Sequence, residues 1–157
     1  HEISDDKLVY TFHIREDAKF SDGTELTAED VAFTFNKMKD AGTDVDVSNL
    51  DVAEAIDDHT VRFTLTEPQS SFIDQLGLVG IVPKNEYDEN YAATGIGSGP
   101  WKMLQCDVDQ QTIVVPNEYY YGEKPYFTKV TFVNLDEQAA LAALKVGELD
   151  VYDTSGE

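Results

Sequence analysis

Apolar and polar positions alternate first with a period of two and then with a helical period, and the change falls just before Ala28. Tyr10, Phe12 and Ile14 alternate with Val9, Thr11, His13 and Arg15, which predicts a strand with one face on a core. Asp22-Gly23 then supplies a turn, since Gly accepts positive φ and the Asp side chain reaches the backbone two residues on. Ala28, Val31, Ala32, Phe35 and Met38 share one helical face, so a helix over 28–39 should dock that stripe on the core. Thr27 is its N-cap candidate, with Asp30 three residues later completing a capping box and Glu29-Asp30 facing the positive end of the helix dipole.

Residues 40–50 mix Gly42, Asp44, Asp46, Ser48 and Asn49 without a period and read as a loop. Segments 52–56 and 60–65, joined through Asp57-Asp58-His59, predict a hairpin with Val61, Phe63 and Leu65 facing inward. Pro68 ends it. Ser70 or Ser71 caps a short helix to Leu76, 80–83 is extended, and 84–93 reads as helical. Gly95-Ile96-Gly97-Ser98-Gly99-Pro100 has the composition of a backbone hinge. Strands are predicted over 101–106, 112–115 and 130–135, and a helix over 137–146 with Gly147 at its C′ position. Strands with interspersed helices and no fixed repeat define an α/β, α+β-like class with a mixed, largely antiparallel sheet and flanking helices.

Charge narrows the partners. Among 157 residues, 31 Asp and Glu against 11 Lys and Arg give a net charge of −20, which repels nucleic acid and anionic membranes and reads as a solvated acidic surface. No apolar run approaches the roughly 20 residues of a membrane span, so membrane insertion by this segment is not expected. The single Cys106 has no partner for an intrachain disulfide and, on a strand-like segment, is expected as a small buried apolar residue.

Candidate chemistry fails at each motif. The glycines at 95, 97 and 99 do not form a dinucleotide fingerprint, because Pro100 takes the place of its last Gly and a strand follows. Ser98 is no nucleophile elbow, since Ile96 stands where that motif requires Gly. Asp44, Asp46 and Ser48 have calcium-loop spacing, yet Asn49 replaces the required Gly and Ala55 the bidentate Glu. His1, His13 and His59 are scattered and read as surface histidines. Tyr119-Tyr120-Tyr121, with Tyr126 and Phe127, offers either a stacking platform or, more in keeping with such runs, the packing of a loop on its own domain. No catalytic residue, metal ligand or cofactor is expected. A small acidic hydrolase would need a nucleophile-base pair, and none is legible.

Several ordered motifs point further. Phe20-Ser21-Asp22-Gly23-Thr24-Glu25-Leu26-Thr27-Ala28-Glu29-Asp30-Val31 resembles the pattern that marks solute-binding proteins of peptide/nickel-type ABC importers, solute-binding protein family 5. Tyr10-Thr11-Phe12-His13-Ile14-Arg15, the run from Asp57 to Pro68, Ile81-Val82-Pro83-Lys84 and Gly97-Ser98-Gly99-Pro100-Trp101-Lys102 agree in order. The run from Asn117 to Pro125 is similar to the family's Asn-Pro-x-Tyr-Trp-x-x-Lys-Pro, with Glu118 in place of the Pro and Tyr121 in place of the Trp. Asp136 to Leu141 and Val146-Gly147-Glu148-Leu149-Asp150-Val151 are similar to the family's helix and its exit.

The resemblance implies a periplasmic-binding-protein type II lobe and an excised piece of the first of two lobes that close on a ligand. Residues 40–96 would then form an inserted subdomain, and 97–157 would return to the main subdomain and exit toward the second lobe. It implies an extracytoplasmic binding component, periplasmic or a cell-surface lipoprotein, that is no enzyme. Its partners would be a small peptide or other small solute and the permease subunits of an ABC importer, with the chain itself monomeric. A ligand-sensing or protein-interaction module on the same fold is the alternative. In the family's pattern the segment ahead of Ile81 runs along the cleft wall, which here reads Leu76, Gly77, Leu78 and Val79. The same apolar segment also reads as core.

Overall fold

The computed structural model describes residues 1–41 and 45–152. Strands β1 (Glu2–Ile3) and β2 (Val9–His13) lead into helix α1 (Ala28–Ala41), followed by β3 (Leu50–Asp57), β4 (Thr60–Leu65), α2 (Phe72–Leu76) and α3 (Tyr91–Thr94). The chain ends through β5 (Trp101–Asp107), β6 (Gln111–Pro116), β7 (Val130–Val133) and α4 (Glu137–Val146). Two antiparallel sheets result, one in the order β1-β2-β4-β3 and the other β5-β6-β7.

The first sheet carries the core because the period-two strands register their apolar residues together. Tyr10 pairs with Phe63 and Phe12 with Val61, while Ala53 of β3 also pairs with Phe63. Helix α1 lies against β3 and β4, with Ala28, Val31, Ala32 and Phe35 buried and Met38 packed against the core. Phe63 is the hub: the rings of Phe35, Phe72 and Phe12 lie 5.0, 5.6 and 5.8 Å from it, all near edge-to-face. Such pairs each add about 0.5–1.5 kcal/mol beyond the area they bury.

Several boundaries differ from expectation. Helix α1 runs to Ala41, past the expected end at Lys39, and so takes in Asp40 from the predicted loop. Gly42 and Asp44 of that loop, and with Asp44 the calcium-like spacing, lie outside the described residues. Over 84–93 only residues from Tyr91 onward are helical, and 84–90 form turns. Asn90 donates its amide to the Asp88 side chain at 2.7 Å, a local bond that competes with helix. Segment 80–83 belongs to no strand. Ser71 precedes α2 as predicted but makes no side-chain cap bond, and it adopts a helical backbone instead of the extended one a cap requires. Cys106 is exposed, contrary to expectation, because β5 has a register shift between Met103 and Gln105 and neighbouring Leu104 and Gln105 are exposed as well.

Candidate functional site

The turn after β2 forms as its residues dictate. Gly23 has φ 91°, the Asp22 carboxylate accepts the Thr24 amide at 2.9 Å and its hydroxyl at 2.7 Å, and the Gly23 amide donates to the Phe20 carbonyl at 2.9 Å. The start of α1 is different from a reciprocal capping box. The Thr27 amide and hydroxyl both donate to Asp30 Oδ2, at 2.9 and 3.1 Å, while the Asp30 amide bonds the Thr27 carbonyl. The hydroxyl of Thr27 therefore donates and does not cap, and Asp30 is the residue that holds the turn.

Asp30 also reaches across the fold. Its other oxygen, Oδ1, accepts the backbone amide of Lys84 at 2.8 Å, and one turn along α1 the Thr34 hydroxyl accepts the Val82 amide at 3.1 Å. Both α1 side chains are buried, as is Pro83 between the two amides they hold. The Lys84 ammonium adds an exposed ion pair with Glu29 at 3.0 Å, and Phe33 packs edge-on against Tyr87 at 5.6 Å. Residues 81–87 thus lie along α1, fixed by its side chains.

The four residues proposed from sequence stand just before this fixed stretch. Leu76 ends α2 and Val79 follows, both half-buried and packed against the core. Gly77 and Leu78 are exposed, and Leu78 offers 68% of its surface to solvent.

A second convergence joins the two sheets. The Ser21 amide donates to the Gly97 carbonyl at 2.9 Å. Asn117, only 1% exposed, donates its side-chain amide to the Gly99 carbonyl and its backbone amide to that of Pro100, both at 2.9 Å. Tyr119 lies over Gly23 so closely that a Cβ there would meet its ring carbon at 3.0 Å. Arg15 stacks on Tyr121 at 3.7 Å while chelated by Asp17, whose bonds hold the guanidinium pKa above its ordinary value. The tyrosines 119–121 thus pack the loop on its own domain, whereas Tyr126 and Phe127 contact each other and stay exposed.

A shallow groove of about 480 Å³ along α1 has Phe33, Lys37, Asp40 and Ala55 among its walls. Beside it the Asn36 side chain bonds both the amide and the carbonyl of Ala53, which occupies that stretch of the outer strand β3. Among the described residues no three His, Cys, Asp or Glu side chains gather as metal ligands. His1 stacks on Phe12 and His13 is exposed, whereas His59 is less of a surface residue than expected, with its Nδ1 buried and unpartnered. Thr34 and Asn36 were not singled out by the sequence, and Asp30 and Asn117 were named only as half a capping box and as the start of an ordered motif. Their signal was polar residues inside or beside apolar stripes and ordered motifs, where burial demands a partner.

Two antiparallel sheets with flanking helices, linked through a glycine-rich crossover at 95–100, define a lobe of the periplasmic-binding-protein type II fold. The chain belongs to the bacterial extracellular solute-binding proteins, family 5: the family description "Bacterial extracellular solute-binding proteins, family 5 Middle" matches residues 1–156. It is 32% identical over 164 residues to the probable D,D-dipeptide-binding periplasmic protein DdpA of Escherichia coli, covering 96% of this chain and 32% of that protein. Among solved structures it resembles NikZ from Campylobacter jejuni in complex with Ni(L-His), with TM-score 0.86, 26% identity and coverage of 94% of this chain and 32% of that one. It also resembles the binding protein MoaA from A. tumefaciens in complex with mannopinic acid, with TM-score 0.85, 31% identity and coverage of 95% and 32%. The chain spans about a third of the length of the curated relatives it matches.

Proposed function

We propose that this chain is part of the first lobe of a longer extracytoplasmic binding protein that captures a peptide or similar small solute and delivers it to the permease subunits of an ABC importer. The observation that carries the reading is the match to solute-binding proteins along residues 1–156, while those relatives extend over about three times this length. The relatives' ligands, a D,D-dipeptide, a nickel–histidine complex and mannopinic acid, share small size and polar groups. Binding and release need no nucleophile or general base, so the proposed role is not catalytic.

Within it, residues 97–157 return to the main subdomain and exit toward a second lobe, while the inserted subdomain expected over 40–96 takes in β1, β2 and α1 as well, since β3 and β4 share their sheet and core. Leu76, Gly77, Leu78 and Val79 make part of the cleft wall. The solvent exposure of Leu78 and the fixed stretch beside it support that placement. A wall residue is wet until lobes close on a ligand, which then gains burial on both sides.

The test is Leu78→Glu in the longer protein. The expected result is weaker binding of a dipeptide pool with an unchanged melting temperature of the unliganded protein. Unchanged affinity would remove Leu78 from the wall.

A further inference from the structure

Among the described residues, 81–84 joins no sheet, so its backbone amides must find other partners. They find two side chains of α1 one turn apart. Asp30 Oδ1 accepts the Lys84 amide at 2.8 Å and Thr34 Oγ accepts the Val82 amide at 3.1 Å. Each of these side chains is also anchored to α1. Asp30 Oδ2 takes the Thr27 amide and hydroxyl, and the Thr34 hydroxyl donates to the Asp30 carbonyl at 2.8 Å. A buried carboxylate is costly unless its oxygens are occupied, and this one has three donors.

Packing and hydrogen bonding divide the labour on this segment. Leu76, Val79 and Ile81 rest on the core, which sets how deep the segment lies but, being non-directional, not where it lies along α1. The two amide bonds are directional and two residues apart on the segment, matched to side chains four apart on the helix, so they set its register.

We propose that Asp30 and Thr34 are positioning residues that fix the register of 76–84 against α1 and thereby hold Leu78 out toward the solute. The proposal rests on the reading of 76–79 as cleft wall. It gives the Asp of the Thr27-Ala28-Glu29-Asp30 motif a second task beyond starting the helix.

Amide hydrogen exchange of the longer protein, with no ligand added, tests it. Thr34→Val keeps the shape and removes the hydroxyl, Thr34→Ser keeps the hydroxyl, and Asp30→Asn removes the charge. In Thr34→Val the amides of Val82 and Lys84 should exchange about tenfold faster or more while those of Val61, Phe63 and Leu65 stay within about twofold, and Thr34→Ser should restore protection. Unchanged exchange at 82 and 84 in both Thr34→Val and Asp30→Asn, or an equal rise across β4, would overturn the proposal, the latter reducing both residues to general supports of the core. The wall reading is judged separately by Leu78→Glu in the longer protein with a dipeptide pool, so either idea can fail alone.

Discussion

Phe63 concentrates the energetics of the first sheet: it is 2% exposed, sits on the central strand β4 and meets three other rings. Phe63→Ala should therefore cost about 3–5 kcal/mol, read as a lowered urea midpoint. A loss below about 1 kcal/mol would mean that the ring cluster does not organise the core. At the start of α1 the hydroxyl of Thr27 only donates to Asp30, so Thr27→Ala should cost less than Asp30→Ala, which orphans the Thr27 and Lys84 amides at about 1–3 kcal/mol for buried groups. Equal costs in urea melts would restore Thr27 as a cap. The inward residues of the hairpin were legible because period two leaves no other face for them. Asp30 was legible only as half a capping box, since nothing local announces a partner 54 residues away.

The hairpin turn carries a pH signature. The Asp57 carboxyl lies below the ordinary aspartate value of 3.8, first because the His59 amide bonds it and then because of Thr60. A depressed folded-state pKa stabilises at pH values above the unfolded pKa and is lost as pH falls through the folded one. Stability should thus decline below about pH 4, and Asp57→Asn should flatten that acid limb by lowering stability at pH 7 while changing little near pH 2. Melting temperatures between pH 2 and pH 7, compared for the two proteins, check this. An identical acid limb would show that the turn contributes nothing to it.

Among the elements, α1 was readable because all five positions of its predicted stripe are buried or packed on the core. Segment 84–90 misled because a polar run with one tyrosine has no decisive period, and the Asp88 side chain accepts the Asn90 amide locally. Helix α4 ends as expected: Gly147 takes φ 78° and its amide bonds the carbonyls of Ala143 and Leu144. Its N-terminus is capped by Asp136, whose side chain accepts the Ala139 amide at 2.8 Å. Gly147→Ala places a Cβ in the left-handed region and should destabilise α4 by about 1 kcal/mol. The readout is amide exchange in 137–146, and unaltered exchange would mean that α4 does not depend on this cap.

On the scale of the molecule, the two sheets are unequally covered. The core gathers around β2, β3, β4 and α1, whereas Leu104, Phe132, Leu141, Leu144 and Val146 in the second part remain exposed. Ala140 is the one buried residue of α4. This fits the proposal of a longer binding protein, the rest of which would cover the apolar surface left by the second part. The ordered motifs made the family legible, and the acidic charge made nucleic acid an unsuitable partner. The ligand was not legible, because in the proposed reading the cleft is a property of two walls and this chain would supply one of them.

The central claim is that these residues supply one wall of a solute site that needs the rest of a longer binding protein to close. Calorimetric titration of a mixed peptide pool into the longer protein and, in parallel, into the 157-residue chain tests it most directly. Saturable binding is expected from the longer protein and none from the chain alone up to millimolar peptide, since half of the burial is then missing. Micromolar binding by the chain alone would contradict it.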